Sequence, residues 1–461
     1  MRHAITPSPT LHYSQGEPAR ALANWQPESQ PALLLVDFEL PQYWLPGAPV
    51  QSLTALYLQT AGGLRLSVTD AALQQNPALP VETQFAAWLD EHALPALDPT
   101  QPMALSPRHI PKPWGQEIWF TGVEERGVCA FVADGRELPI PWLQAAAPAS
   151  AAGQAGRALV LLKILDPLPE PVRGDLYFEL HEQKREVYVV THIDRSAWPD
   201  GVGAIRYGFD PAVRAGFETD KAFRAAYIAA VSAYEKVRRQ VDAAAAGEAG
   251  TGQSQEDAPL AGDVLAEEAR LRAEMDRFTF LRPLRVGDVV KVPLRLPHSL
   301  QHGVRTVEFQ TPVYERKILS FAQRVLTQDH WDTREAAQVM HLAPPPDEAF
   351  EILRDSEQLR IERIVDFEDF EVQRVTLTAG ASMAIEAVDN YALAMVVSGG
   401  LRLGDASRGS DATSHNDNRS GDDAFVPGEA LLLPRRSRPY TAAADAAQPL
   451  VLLLARPRGG S

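Results

Sequence analysis

Short apolar runs punctuated by proline and glycine fill most of the chain. PALLLVDFEL and LTALYLQTAGGLRLSV come first, then PKPWGQEIWFTG, GVCAFVADG, ALVLLKILD, YFEL and EVYVVTHID. Runs of this length, rich in Val, Ile, Leu, Phe and Tyr and bounded by turn residues, predict β-strands. An amphipathic stretch, VETQFAAWLDEHAL, breaks the series early on. The period changes again over 219–242, where Phe223, Tyr227, Val231 and Tyr234 fall at i, i+4, i+8 and i+11. That spacing puts four large apolar side chains on one helical face. A second helix is predicted over VLAEEARLRAEMDRF. Strands resume with VGDVVKVPL and VRTVEFQTPVYERKILSF. Beyond the proline-rich HLAPPPDEAF they continue as FEVQRVTLTAG, YALAMVVSGGLRL, GEALLLP and PLVLLLARP.

Two polar segments interrupt this texture. AAAAGEAGTGQSQEDAPLAG, about 243–262, has no core-forming period and is expected to be disordered. GDASRGSDATSHNDNRSGDD reads as a mobile loop. Two short segments match one another: GDVVKVP at 287–293 and GEALLLP at 428–434. Each predicts a turn into a strand that stops at proline, and together they point to a duplicated β-sandwich or barrel. The expected division is an N-terminal extension of unknown role (1–107), a first β domain (108–344) with a helical insertion at about 211–280, and a second β domain (345–461).

Length and composition narrow the function classes. A chain of 461 residues has room for two to four domains of ~100–200 residues each. Apolar content of 45% and charged content of 23% are those of a soluble globular protein. A formal charge of −16 argues against general affinity for nucleic acid or anionic lipid. The single Cys129 excludes an intramolecular disulfide framework and a multi-cysteine zinc site. The N-terminus lacks the apolar core of a signal peptide, and no apolar run approaches the ~20 residues of a membrane span. A cytoplasmic protein with neither nucleic-acid nor membrane partners is expected.

The chemistry concentrates in YFELHEQKREVYVV at 177–190. Alternate side chains of a strand share a face, so Glu179 and His181 point one way, as do Glu186, Tyr188, Val190 and His192. If the two strands pair across the four residues between them, Glu179, His181 and Glu186 converge. Taken alone, the run fits a polar sheet face with surface ion pairs equally well. His298, just past the strand end at Pro293, supplies a second imidazole. Two imidazoles and two carboxylates suit Zn²⁺, Mn²⁺ or Fe²⁺ by ligand softness. His192 and His302 read as surface or supporting residues, Trp114 as core, and the arginines at 435, 436 and 438 as a solvated turn.

E-x-H-x4-E followed by G-D-x4-P-x4-H resembles the two metal-binding motifs of the cupin fold. In sequence order, PKPWGQEIW, LLKILD, FELHEQKREVYVV, GDVVKVPLRLPH and VEFQTPVYER resemble segments of the type I phosphomannose isomerases. The resemblance spans roughly 108–321, with a second, weaker cupin at about 345–458. It implies two cupin-type (jelly-roll) barrels or sandwiches, mainly β, with helical insertions. It also implies a metal-dependent intramolecular oxidoreductase that interconverts mannose 6-phosphate and fructose 6-phosphate, usually on zinc. The metal ligands would be Glu179, His181, Glu186 and His298. Lys163, Glu308 and Arg316 would be the catalytic residues, the general base being unassigned. A lysine in an apolar strand such as LVLLKIL is expected to have a lowered pKa.

The chain departs from the family at identifiable points. Glu179 stands where the family has glutamine, and the long loop between His181 and Glu186 is missing. Thr311-Pro312 replaces a Ser-Asp pair, and residues 1–107 have no counterpart. The second cupin has Arg435 and Arg436 after Pro434 and no histidine in SMAIEAVDNYALAMVV, so it cannot assemble the same site. The competing readings are a non-catalytic metal-binding cupin with a carbohydrate-binding or regulatory role, and a metal-dependent oxygenase. The paired carboxylates count against the last.

Overall fold

The computed structural model describes residues 3, 5–250, 262–386, 390–405, 424–436 and 439–458, with backbone alone at 245–250 and 405. The fold is mainly β, in several sheets with few helices. By internal contacts the chain divides into two compact units. One comprises Met1–Arg108, Trp119–Leu162 and Phe350–Ser461, the other His109–Ile118 and Lys163–Ala349.

In the first unit, Leu11–Gln15, Ala32–Pro41, Val50–Thr60 and Gly63–Thr69 form a four-stranded sheet. The helix Val81–Glu91, anticipated from its amphipathic pattern, buries Phe85, Trp88 and Leu89 against Leu33, Leu35, Leu56 and Leu58 of that sheet. A nine-stranded sheet makes up most of the rest. Its ladder runs from Arg136–Pro139 at one edge to Glu351–Asp355 at the other. Within it Met103–Ser106 pairs with Ala430–Leu433. The region before residue 108 is thus hydrogen-bonded to the C-terminal β domain, and the boundary drawn at 107 is bridged by a ladder. Spacing could not reveal this, because the partners lie more than 300 residues apart. A three-stranded sheet (Ser382–Ile385, Leu401–Asp405, Tyr440–Ala444) shares one apolar core with the larger one, built on Val375, Val396, Leu431, Tyr440 and Leu452.

The second unit is a two-sheet sandwich. Its six-stranded sheet has the order Val289–Val292, Glu186–Ile193, Val304–Gln310, Leu161–Pro167, Gly115–Trp119, Arg108–Lys112. The five-stranded sheet has the order Thr279–Leu284, Gly203–Phe209, His298–Leu300, Phe178–Leu180, Lys317–Ser320. Tyr188, Val190, Val290 and Val304 of the first meet Ile205, Leu300 and Ile318 of the second. The helices Asp220–Gly250 and Gly262–Asp276 pack against the other face of the five-stranded sheet. Phe223, Tyr227, Val231 and Tyr234 are all fully buried there, on Phe178, Leu180 and Phe209. Each such burial is worth about 1.5–3 kcal/mol. The period of two in Phe178-Glu179-Leu180 does the rest: helices hold Phe178 and Leu180, so Glu179 faces into the sandwich.

The helix Asp220–Gly250 extends into the segment expected to be disordered from 243. Residues 251–261, and nearly all of the expected polar loop at 404–423, lie outside the described residues. The matched segments behave alike. Gly287 and Gly428 have φ of +92° and +91° and lead into the strands Val289–Val292 and Ala430–Leu433.

Candidate metal centre

The residues singled out in 177–190 do not form a hairpin. Phe178–Leu180 belongs to the five-stranded sheet and Glu186–Ile193 to the six-stranded one. Residues 181–185 cross between the layers, so the convergence comes from the two walls of the sandwich. Each wall has its own ladder. Glu179 is directly opposite His298 on the neighbouring strand. Glu186 and Tyr188 lie opposite Gln310 and Glu308. The crossing is fixed by Glu315, whose Oε2 accepts from the backbone N–H of Glu182 at 2.8 Å and of Gln183 at 3.1 Å.

Glu179, His181 and His298 each offer a donor atom, and these atoms all lie within 4.8 Å of one another. Glu186 touches both rings: Oε1 is 3.4 Å from His181 Nε2, and Oε2 is 3.1 Å from His298 Nε2. The ring tautomers follow from their other nitrogens. His181 Nδ1 faces the Glu315 carbonyl at 2.9 Å, and His298 Nδ1 faces the Leu296 carbonyl at 3.0 Å. A carbonyl only accepts, so each Nδ1 carries a hydrogen and each ring turns its Nε2 inward, the atom a metal would take. Burial, helped by the Lys184 charge, holds His181 below its ordinary pKa and therefore neutral. Its Nε2 and Glu179 Oε2 are buried without a hydrogen-bond partner. Lone pairs and carboxylate oxygens facing each other at 3.1–3.9 Å repel unless a cation lies among them. These residues fit a divalent ion.

A second layer of charge surrounds this point. Lys184 Nζ is 2.7 Å from Glu186 Oε1, and the Tyr188 hydroxyl donates to Glu186 Oε2 at 2.7 Å. Burial would raise the Glu186 carboxyl, but the Lys184 charge leads the groups that hold it well below the carboxylate range. Burial would raise Glu179 too, yet Arg316 leads the charges that keep it low. Lys163 Nζ lies 3.3 Å from Glu308 Oε2 and 3.8 Å from Glu117 Oε1, and Glu117 also pairs with Lys112 at 3.2 Å. Burial pulls the Lys163 ammonium down, but Glu117, Glu308 and Glu186 outweigh it and raise the pKa above the ordinary value. The lowered value expected from the apolar strand is therefore corrected, because the residues facing Lys163 come from other strands. Glu308 goes the other way: burial, reinforced by Glu186, lifts it well above the carboxylate range despite Lys163.

Arg316 lies just before the strand Lys317–Ser320, in the irregular stretch after Gln310. It sits over the Tyr177 ring, 4.6 Å from guanidinium carbon to ring centre. All seven singled-out residues belong to the second unit, with Arg316 meeting the Glu179–His181–His298 group through Glu179 at 3.7 Å. His302 is elsewhere, bonded to Asp175 at 2.7 Å and stacked on Trp198, and Trp114 is core as expected. Arg436 rests over Tyr440, while Arg438 lies outside the described residues. Four contributors were missed: Lys112, Glu117, Lys184 and Tyr188. Only Lys184 and Tyr188 carried a usable signal, sitting two residues either side of Glu186.

The layered β architecture is a cupin-like fold, with a His/Glu cluster facing into one sandwich. Solved structures agree on the fold. The mannose 6-phosphate isomerase from Bacillus subtilis is similar over 77% of this chain and 99% of its own, with a TM-score of 0.51 and 14% identity. A zinc-bound mannose 6-phosphate isomerase gives 0.52 and 12% over 78% of this chain and 100% of its own. The apo form from Salmonella typhimurium gives 0.51 and 13% over the same shares. No family model and no curated protein sequence matches the chain.

Proposed function

We propose that the chain is a metal-dependent sugar-phosphate isomerase, interconverting mannose 6-phosphate and fructose 6-phosphate, with Zn²⁺ as the first choice of metal and Mn²⁺ or Fe²⁺ as alternatives. The observation that carries this reading is the buried set of Glu179, His181, Glu186 and His298 with the Lys163–Glu308 pair beside it. The fold is one it shares with mannose 6-phosphate isomerases. A bound divalent ion would polarise the carbonyl of the open-chain sugar and stabilise charge developing on its oxygen.

The chain's own groups supply the rest. Isomerisation moves one proton between C1 and C2. Glu308 is buried and raised in pKa, which suits a group that trades protons near neutrality. Lys163 stays charged and fixes Glu308 by their 3.3 Å contact. The cations Lys112, Lys163, Lys184 and Arg316 face the carboxyl groups of Glu117, Glu179, Glu186 and Glu308, and burial disfavours the charge on the last. A divalent ion adds two more positive charges. Such a site favours a phosphorylated over a neutral sugar.

Purified protein supplied with mannose 6-phosphate and a coupled fructose 6-phosphate readout should turn over, stop on chelation and recover with Zn²⁺. Absence of turnover at every metal loading would sink the reading for this substrate. Stoichiometric metal without turnover would favour the non-catalytic cupin, a reading supported by Thr311-Pro312 in place of the Ser-Asp pair. Glu308→Gln should lower kcat by about 100-fold or more while leaving metal content unchanged. Equal kcat would remove Glu308 from the reaction.

A further inference from the structure

Glu179 has two claimants. Its Oε1 is 3.9 Å from His181 Nε2, within the donor group that fits a metal. Its Oε2 is 3.7 Å from Arg316 Nη1 and has no hydrogen-bond partner. A guanidinium this close to a ligand oxygen repels an incoming divalent ion across a poorly screened gap. The arginine is otherwise held from outside the cluster. Its Nη2 donates to Thr327 Oγ1 at 2.6 Å, and its plane covers Tyr177.

Thr327 also borders a hollow of about 480 Å³, together with Arg239, Arg324 and Trp331. Of the charged groups there, Asp242 is engaged by Arg238 at 2.8 Å, Asp329 by His330 at 2.9 Å and Arg239 by Glu235 at 2.5 Å. Thr327 therefore stands between the hollow and Arg316, and none of the metal-ligand candidates lines the hollow.

We propose that the Glu179–Arg316 pair couples metal binding to the binding of a tetrahedral dianion, such as the phosphate of a sugar phosphate. This rests on the reading of the cluster as a metal centre. An anion that draws Arg316 toward the hollow leaves Glu179 wholly to the metal. A metal on Glu179 releases Arg316 to the anion. Linkage makes the two effects equal, so each ligand tightens the other by one factor. The metal would then be held tightly only when the anionic ligand is present.

The test is Co²⁺ titration of the metal-free full chain, by calorimetry and visible absorption, in sulfate and in chloride of equal ionic strength. Sulfate should tighten Co²⁺ about tenfold in the wild type, within the usual range of coupling between sites. Arg316→Ala should bind Co²⁺ more tightly than wild type in chloride and gain nothing from sulfate. Arg316→Gln, which keeps bulk over Tyr177, should do the same if the alanine variant does not fold. Lys317→Ala, removing the neighbouring cation, should keep the coupling. A wild-type affinity indifferent to sulfate, or a tenfold gain retained without Arg316, would overturn the coupling and leave the isomerase reading standing. A wild type that binds no Co²⁺ in either salt would overturn both.

Discussion

Replacing His298 with alanine should strip the protein of its divalent ion, weakening affinity by more than roughly 100-fold, while the β-sandwich stays folded. The size follows from position. Supporting contacts alone are worth 10–100-fold in metal affinity, and His298 offers its own lone pair directly. Its Nδ1–H points to the Leu296 carbonyl, and Nε2 faces Glu186 Oε2 at 3.1 Å, inside the candidate ligand set. The fold survives because the charge left behind is still paired. Glu186 keeps Lys184 at 2.7 Å and the Tyr188 hydroxyl at 2.7 Å. Metal content after dialysis, together with a thermal melt, checks both halves. His302→Ala is the control: that ring is tied to Asp175 and Trp198 and should leave metal content unchanged. Stoichiometric metal in His298→Ala would show that the ion is held elsewhere.

The control also shows what the sequence could and could not separate. His298 and His302 sit four residues apart, and only the first falls in G-D-x4-P-x4-H. The strand His298–Leu300 places the first opposite Glu179, and the chain then turns the second toward Asp175. Strand content, the helical face at Phe223 through Tyr234 and the duplicated turn-strand-proline segments were all legible, because each is written in local period and punctuation. The pairing of Met103–Ser106 with Ala430–Leu433 was not, since no local pattern encodes a ladder between such distant segments.

The electrostatics failed for a related reason. LVLLKIL describes what flanks Lys163 along its own strand, and those residues are apolar. What faces Lys163 is Glu117 and Glu308, each from a different strand of the six-stranded sheet. A pKa answers to spatial neighbours, so the sign of the shift reversed once those strands were placed. The ladder that sets Tyr188 opposite Glu308 likewise makes Glu186 and Glu308 neighbours whose proton affinities are pushed in opposite directions, one lowered by Lys184 and the other raised by burial. Two carboxyls pushed apart in this way are what acid–base chemistry at neutral pH requires.

The Trp-Gly of PKPWGQEIW makes a second large prediction. Gly115 has φ of +144°, and a Cβ there would lie 2.4 Å from the Asp166 carbonyl oxygen and 3.1 Å from Pro167 Cα. The Leu168 N–H donates to the Trp114 carbonyl at 2.9 Å, and Trp114 is buried in the sandwich core, so neither backbone is free to retreat. Gly115→Ala should therefore cost about 3 kcal/mol, combining backbone strain with overlap. For a unit of this size that lowers the melting temperature by roughly 6–12 °C. The effect should reach the site, because the strands forced apart carry Glu117 and Lys163, now 3.8 Å from each other. Gly287→Ala separates the two contributions. Its φ is +92° but a Cβ would meet nothing within 4 Å, so it should cost only the strain of the left-handed backbone, about 1–2 kcal/mol. Equal shifts for the two variants would mean that close approach at Gly115 contributes nothing, and that the invitation to glycine there is conformational alone.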